Sequence, residues 1–140
     1  MLRRTPLAAA LLGLVLVPPP GHAAEPDVVA HRTLAIASGT AIGGEPERAA
    51  TGIGSRAAMR KFARRHDVEE LKADLVAAFG RAKAGEAVWA AVVSVGCDVP
   101  PGVEVSGTAE QVYLDPQPVE EPLPECFAPV TSAAVVAVGQ

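Results

Sequence analysis

The residues best equipped for chemistry are Cys97 and Cys126, the only two cysteines in the 140-residue chain. Of the three histidines, His22 lies in the N-terminal segment that has the pattern of an export signal. A catalytic cysteine needs a positioned histidine, and the other two, His31 and His66, are both far from either cysteine in sequence. A zinc site needs three or four His, Cys or carboxylate ligands, which these two histidines and a bridged cysteine pair do not supply. An even cysteine count in an exported chain is typical of a disulfide. We therefore predict a structural bridge between Cys97 and Cys126.

Two acidic pairs suggest acid/base catalysis, but their surroundings argue against it. Glu69 and Glu70 fall on a predicted helix, where neighbouring side chains point about 100° apart and cannot converge. Glu120 and Glu121 fall in a proline-rich segment, where carboxylates are normally solvated. The chain also lacks G-x-S-x-G, H-E-x-x-H, P-loop and C-x-x-C motifs. We therefore expect no catalytic residue, no metal site and no cofactor.

Basic residues are concentrated on one predicted helix, at Arg56, Arg60, Lys61, Arg64 and Arg65. This patch could contact an anionic cell-wall polymer through Arg56, Arg60 and Arg64, or an acidic protein surface, or nucleic acid. The alternative is a solvated face that the acidic start of the next helix neutralises. The net charge is −4, and the single Trp and single Tyr both lie away from these residues. Base stacking is therefore poorly supported, and we expect no nucleic-acid partner.

The most distinctive surface segment is 115–125, which contains four prolines and four acidic residues. Prolines favour an extended conformation that loses little entropy on binding, which suits a docking or inhibitory loop. A stiff connector between two strands is the alternative. The predicted disulfide would hold this segment near the turn 97–102. The candidate partner-binding residues of the two segments are Asp98, Pro100, Pro101, Asp115, Pro118, Glu120, Glu121 and Pro122.

The first 23 residues have the pattern of an export signal. Arg3 and Arg4 precede the apolar run 7–17. Three prolines follow the run, and then Gly-His-Ala-Ala, whose small residues are typical of a cleavage site. An apolar run of this length spans roughly half of a bilayer core, which is too short for a membrane anchor. We therefore predict a signal peptide at 1–23, a flexible tail at 24–31 and one secreted, disulfide-bridged domain at 32–140, without membrane association.

The hydrophobic periodicity predicts an α+β domain with a mainly antiparallel sheet of about five to six short strands and two amphipathic helices on one face. The predicted strands are 32–38, 48–53, 88–95, 103–106, 111–114 and 133–138. The first helix is predicted to run from its N-cap, Ser55, to His66. The second is predicted to open with an Asp67/Glu70 capping box and to stop at Gly85.

Two further local features constrain this domain. Cys97 follows one apolar strand and Cys126 precedes the last one, so a bridge forms most easily if those strands run antiparallel. Between the first two strands, Gly39, Gly43 and Gly44 are expected to supply positive φ angles in a turn.

The runs TLAIASGTAIGGEPERAATGIGSRAAMRKFARRH, AVWAAVVSVG, CDVPPG, VEVSGTAEQVYL and APVTSAAVVAV cover most of the chain after the predicted signal. In their order they resemble small bacterial envelope proteins, the protease complex B-subunit family. The resemblance implies a non-catalytic, extracytoplasmic partner of a protease. The chain has Pro101-Gly102-Val103 where that family commonly has Gly-Gly-Tyr. It is also similar to exported actinobacterial proteins with a G-C-x-x-P … C-x-A-P-V-T signature, which implies no activity.

These patterns predict an exported, non-catalytic binding protein, and the resemblance suggests an extracytoplasmic protease as its protein partner. Two alternatives stay open. A hydrolase could use a carboxylate site that only the folded chain assembles, and a deep pocket lined by two or more Asp or Glu residues would favour it. The other alternative is an inert structural protein of the cell envelope, with which no partner would be recovered on purification.

Overall fold

The computed structural model describes residues 27–139, and the predicted signal peptide lies outside the described residues. The strands are β1 (His31–Thr40), β2 (Thr51–Ile53), β3 (Glu86–Gly96), β4 (Val103–Gly107), β5 (Val112–Pro116) and β6 (Val130–Gly139). The helices are α1 (Arg56–Arg65) and α2 (Lys72–Phe79), the second preceded by a 3-10 turn at Glu69–Leu71. The α+β class is confirmed, and all strand pairs are antiparallel. No helix within the described range combines the length and the hydropathy that a membrane span requires.

The strands divide into two sheets, where the sequence predicted one. β1, β6, β3 and β2 form a four-stranded sheet in that order, and β4 and β5 form a hairpin. The helices cover one face of the larger sheet and the hairpin covers the other. The reason lies in the hairpin itself, where Val103, Val105, Val112 and Leu114 are buried on one side. Such a face must pack on a second apolar surface, and the larger sheet provides it.

The central strands are β3 and β6, whose antiparallel pairing sets Gly96 opposite Val130. Every residue from Thr131 to Val138 is buried. Because both faces of the sheet are covered, these strands are apolar almost without interruption instead of alternating with polar residues. The antiparallel direction inferred from the two cysteines is confirmed.

Two apolar cores lie on opposite faces of the larger sheet. The core under the helices includes the fully buried side chains of Met59, Val68, Leu75, Val92 and Val135. The core under the hairpin includes those of Val105, Val112, Leu114 and Val136. Successive residues of β6, such as Val135 and Val136, therefore enter different cores, as the two-residue period of a strand requires.

Backbone hydrogen bonds join the two sheets at both margins. The carbonyl of Arg48 accepts from Leu114 in β5 at 2.9 Å, while the N–H of Glu47 donates to β3 at 2.8 Å. At the other margin, the N–H of Val29 donates to β4 at 2.9 Å, and the carbonyl of Asp27 accepts from the end of β4 at 3.2 Å. These bonds close the strands into a flattened barrel. They also tie the predicted N-terminal tail to the hairpin from Asp27 onward.

The first helix follows the sequence prediction closely. The Ser55 Oγ accepts a hydrogen bond from the N–H of Ala58 at 3.0 Å, so Ser55 is the N-cap. The helix ends at Arg65, with His66 as the C-cap. The buried side chains are those of Met59, Phe62 and Ala63, which lie against the larger sheet.

The second helix is shorter than the sequence predicted, and the expected capping box is wrong. Asp67 takes a left-handed φ of 55°, and α2 begins only at Lys72, without a side-chain cap. This conformation reverses the chain directly after α1 and places Val68, with no exposed surface, in the core. The helix ends at Phe79, whereas Gly85, with a φ of 83°, shapes the turn into β3.

Candidate binding surface at the disulfide

Two irregular segments meet where β3 ends and β6 begins. Cys97 comes directly after β3, and Cys126 comes four residues before β6. Because these strands are antiparallel neighbours, those ends are adjacent, and the Cα atoms of the two cysteines are 5.3 Å apart in a disulfide. The predicted bridge is confirmed. It joins the turn 97–102 to the proline-rich segment 117–129, and we call these two segments together the disulfide surface.

Polar contacts join the same segments at two further points. The Asp98 Oδ2 accepts a hydrogen bond from the N–H of Leu123 at 2.9 Å. The carbonyl of Gly102 accepts one from the N–H of Gln117 at 2.9 Å. A long segment of irregular backbone is thus attached to the turn near its start, in its middle and, through the disulfide, near its end.

Between the segments lies an open hollow of about 780 Å³. Its lining residues are Val99, Pro101, Glu104, Gln117, Pro118, Val119, Glu120 and Glu121. Four of the eight candidate partner-binding residues, Pro101, Pro118, Glu120 and Glu121, are therefore brought together here, although they are separated in sequence. The hollow is open to solvent, and its glutamates are all exposed.

The other four candidates have different positions. Asp98 holds the backbone of Leu123 through its hydrogen bond. Pro100 is buried, so it offers no surface to a partner. Pro122 is exposed but does not line the hollow.

Asp115, the last candidate, lies in β5, at the edge that hydrogen-bonds to the segment before β2. Its Oδ1 lies 2.8 Å from the Nε of Arg48, whose guanidinium stacks 5.4 Å from the ring centre of Tyr113. The hydrogen bond to Asp115, with the charge of that carboxylate, raises the pKa of Arg48. Asp115 thus links the segment that precedes β2 to β5, where it supports the fold.

The apolar side chains of this surface were not predicted from the sequence. Phe127 is fully exposed, and Leu123 and Val99 are 56% and 43% exposed. The available signal was Phe127 itself, the one aromatic residue within a segment otherwise rich in proline and acidic residues. Its exposure could not be predicted because the segment has no periodicity that would assign the ring a face.

His66 and Glu69 each make local contacts with neighbouring side chains. The His66 side chain is 7% exposed, its Nδ1 lies 3.6 Å from Glu47, and its ring centre lies 4.4 Å from that of Phe62. Its Nε2 is buried and has no hydrogen-bond partner among residues 27–139. Glu69 pairs with Lys72 at 2.6 Å, which lowers the pKa of Glu69. Within the same range, no group of three or more His, Cys, Asp or Glu residues is placed to hold a metal ion.

No family model, no curated protein and no solved structure matches the chain.

Proposed function

We propose that the protein is an exported, non-catalytic binding protein that docks onto a protein partner through the disulfide surface. The observation that carries this proposal is the full exposure of Phe127 beside Cys126. Buried aromatic side chains contribute much of the energy of protein interfaces, and a phenyl ring left in water gains most from being covered. Leu123 and Val99 are further exposed apolar side chains of the same two segments.

The charge of the disulfide surface specifies the partner's chemistry. The disulfide surface, residues 97–102 and 117–129, contains four acidic residues and no basic residue. None of the four, Asp98, Glu120, Glu121 and Glu125, forms an ion pair among the described residues. Complementary charge steers association and fixes its orientation. The partner should therefore present an apolar recess surrounded by lysine or arginine side chains.

The restraints on the surface support binding as well. Segment 115–125 contains four prolines, and the disulfide and the Asp98–Leu123 hydrogen bond attach it to the turn. A segment restrained before it binds loses less conformational entropy on association, so more of the contact energy appears as affinity.

The compartment and the kind of partner rest on sequence arguments. The pattern of residues 1–23 is that of an export signal, and a disulfide is typical of proteins that leave the cytosol. The resemblance to the protease complex B-subunit family suggests that the partner is an extracytoplasmic protease, which this protein would stabilise or modulate.

Hydrolysis is the competing function, since Glu104, Glu120 and Glu121 line one hollow. A carboxyl group that works as a general acid near neutral pH usually needs an apolar, buried environment. These three side chains are exposed in an open hollow, which favours attraction of a basic partner over proton transfer. We therefore propose binding and not hydrolysis.

Site-specific photo-crosslinking in the producing cells tests the proposal. A photoreactive phenylalanine analogue is placed at position 127, and as a matched control at position 28, because Val28 is also exposed, at 81%, but lies against β4. We expect one protein to be crosslinked from position 127 and not from position 28. The purified partner should then bind Phe127→Ala and Glu120→Gln/Glu121→Gln variants at least about tenfold more weakly, as expected for loss of a central aromatic contact and of complementary charges.

Three results would overturn the proposal. Equal crosslinking from both positions would mean that the disulfide surface is not the interface. If no protein is crosslinked from either position, the protein is an inert component of the envelope. If the purified protein cleaves a substrate and Glu120→Gln abolishes the cleavage, the protein is a hydrolase. Where the captured partner is a protease, its activity with and without this protein decides whether it is modulated.

A further inference from the structure

The exposed side of α1 carries a cluster of cations that ion pairs do not neutralise. Arg56, Arg60, Lys61, Arg64 and Arg65 are all exposed. The ion pairs within residues 27–139 are Arg32–Glu86, Arg48–Asp115, His66–Glu47 and Lys72–Glu69, and none includes these five. Glu69, in the acidic segment that follows α1, is paired with Lys72, and the pKa of Glu69 is lowered first by that pair and to a smaller extent by the charge of Arg64.

The stability of the helix does not explain this cluster. Arg56, Arg60 and Arg64 are four residues apart, so they form one row along α1, and like charges at that spacing repel and destabilise a helix. Arg64 and Arg65 lie in the last turn, where the helix dipole favours them, but Arg56 lies in the first turn, where the dipole opposes a positive charge. α1 contains no acidic residue that would compensate.

Two hollows lie beside α1, and β2 contributes to the lining of both. The larger, of about 640 Å³, is lined by Arg56 and Lys83. The smaller, of about 190 Å³, is lined by Lys61 and Arg65. Gly52 and Ile53 line both hollows, so cations from the start of α1, from its end and from the loop before β3 border two neighbouring hollows, which together we call the trough. Arg60 and Arg64 lie on α1 outside its lining.

The lining of the trough contains four basic residues and one acidic residue, and Arg65 also lines a neighbouring hollow with Glu45, Glu47 and Asp67. The one acidic lining residue of the trough, Glu86, has its carboxylate engaged by Arg32 at 2.7 Å and by the N–H of Lys83 at 2.7 Å. The buried side of α1 is fixed in the helix-side core by Met59 and Phe62, so the charges are presented on a rigid element.

We propose that α1 and the adjoining trough bind a linear polymer of phosphodiester repeats without bases, of the kind found in anionic cell-wall polymers. The row Arg56–Arg60–Arg64 extends about 12 Å along the helix axis, so it matches an extended polyanion better than a single small anion. The only aromatic residue of α1, Phe62, is buried, so the helix offers no platform on which bases could stack. This surface is separate from the disulfide surface, and the inference is independent of the proposed protein partner.

Binding of purified poly(glycerol phosphate) by the intact, disulfide-bonded protein tests the inference. If all five cations contact phosphates, counterion release predicts that affinity falls about a hundredfold between about 50 and 200 mM salt. The variant Arg56→Gln/Arg60→Gln/Arg64→Gln should bind at least about tenfold more weakly at the lower salt concentration, and its affinity should fall less than about tenfold over the same range. Its thermal unfolding should occur no earlier than that of the parent protein, because like-charge contacts are removed.

A matched control separates local contacts from net charge. Ser38→Glu/Ala109→Glu/Gln111→Glu changes the net charge by the same three units at exposed positions on β1 and in the β4–β5 hairpin. We expect this control to keep most of the affinity. Equal weakening by both variants, no binding by the parent protein, or tighter binding of a single-stranded oligonucleotide of equal charge would each overturn the inference. A Phe127→Ala variant should bind the polymer normally, so failure of the proposed protein interface would not affect this result.

Discussion

The Asp98 Oδ2 lies 2.9 Å from the backbone nitrogen of Leu123 and accepts its hydrogen bond. Asp98 follows Cys97 directly, and Leu123 comes three residues before Cys126. The disulfide and the hydrogen bond therefore connect the same two segments at neighbouring points. The covalent bond fixes how close the segments are, and the hydrogen bond fixes the path of the backbone that carries the exposed side chain of Leu123.

Replacing Asp98 with Ala should make the backbone around Leu123 more mobile without unfolding the protein. We expect the amide hydrogen of Leu123 to exchange with solvent faster and partner binding to weaken, while the free energy of unfolding falls by about 1 kcal/mol, as for loss of one hydrogen bond. Asp98→Asn keeps an acceptor oxygen at the same place and serves as the control. Exchange that is unchanged in Asp98→Ala would show that the hydrogen bond does not restrain the segment.

Removing the disulfide should have a larger effect on the whole fold. The bridge closes a loop with a sequence separation of 29 residues. In the chain-entropy treatment, such a crosslink stabilises the folded state by about 3–4 kcal/mol, because it restricts the unfolded chain. Urea unfolding of the double variant Cys97→Ala/Cys126→Ala should show this loss. A difference below about 1 kcal/mol would mean that the barrel holds these strand ends together unaided.

The strands at the centre of the fold could be predicted because local pattern and tertiary environment agree there. A valine-rich run such as 88–95 fits a strand covered on both faces, and the two cysteines then fix the direction of β6 relative to it. The position of the hairpin could not be predicted. Its alternating residues show that it has an apolar face, but they do not identify the surface that covers this face.

Other details depended on contacts between distant parts of the chain. Asp67 and Glu70 have the spacing of a capping box, yet the need to bury Val68 directly after α1 places Asp67 at a φ of 55°. Segment 47–53, rich in alanine and glycine, carries little pattern, so its position between β3 and β5 follows only from the folded register. Phe127 was missed for the same reason: exposure on an irregular segment is set by the path of the backbone.

The Arg32–Glu86 pair predicts how stability depends on pH. Hydrogen bonds to Glu86, first from Arg32 and then from the N–H of Lys83, hold its pKa below the ordinary value of 4.5. A lowered folded-state pKa contributes stability that is complete above the unfolded-state pKa and is lost as the pH falls through the folded-state pKa. Glu86→Gln should therefore lower the urea midpoint at neutral pH and have little effect in strong acid. A matched Glu70→Gln variant, at an exposed residue outside the ion pairs of the described range, should show no such trend. A Glu86→Gln effect that stays constant across the pH range would contradict this assignment.

Two positions in the β1–β2 connection require glycine: Gly43, where a Cβ would clash with Asp67, including its backbone oxygen, and Gly44. Of Gly39, Gly43 and Gly44, only Gly44 takes a positive φ, of 107°, and a Cβ there would come within 3.0 Å of side-chain carbons of both Thr131 and Val68. Gly44→Ala should therefore reduce the free energy of unfolding by about 1–3 kcal/mol through backbone strain and crowding of the core. Gly54→Ala is the matched control, because a Cβ at Gly54 would meet nothing within 4 Å and its φ is not positive. It should leave stability unchanged or raise it by up to about 1 kcal/mol, since alanine restricts the unfolded chain. Equal urea midpoints for the two variants would show that the connection shifts to accept a side chain at Gly44, and that Val68 and Thr131 do not fix its position.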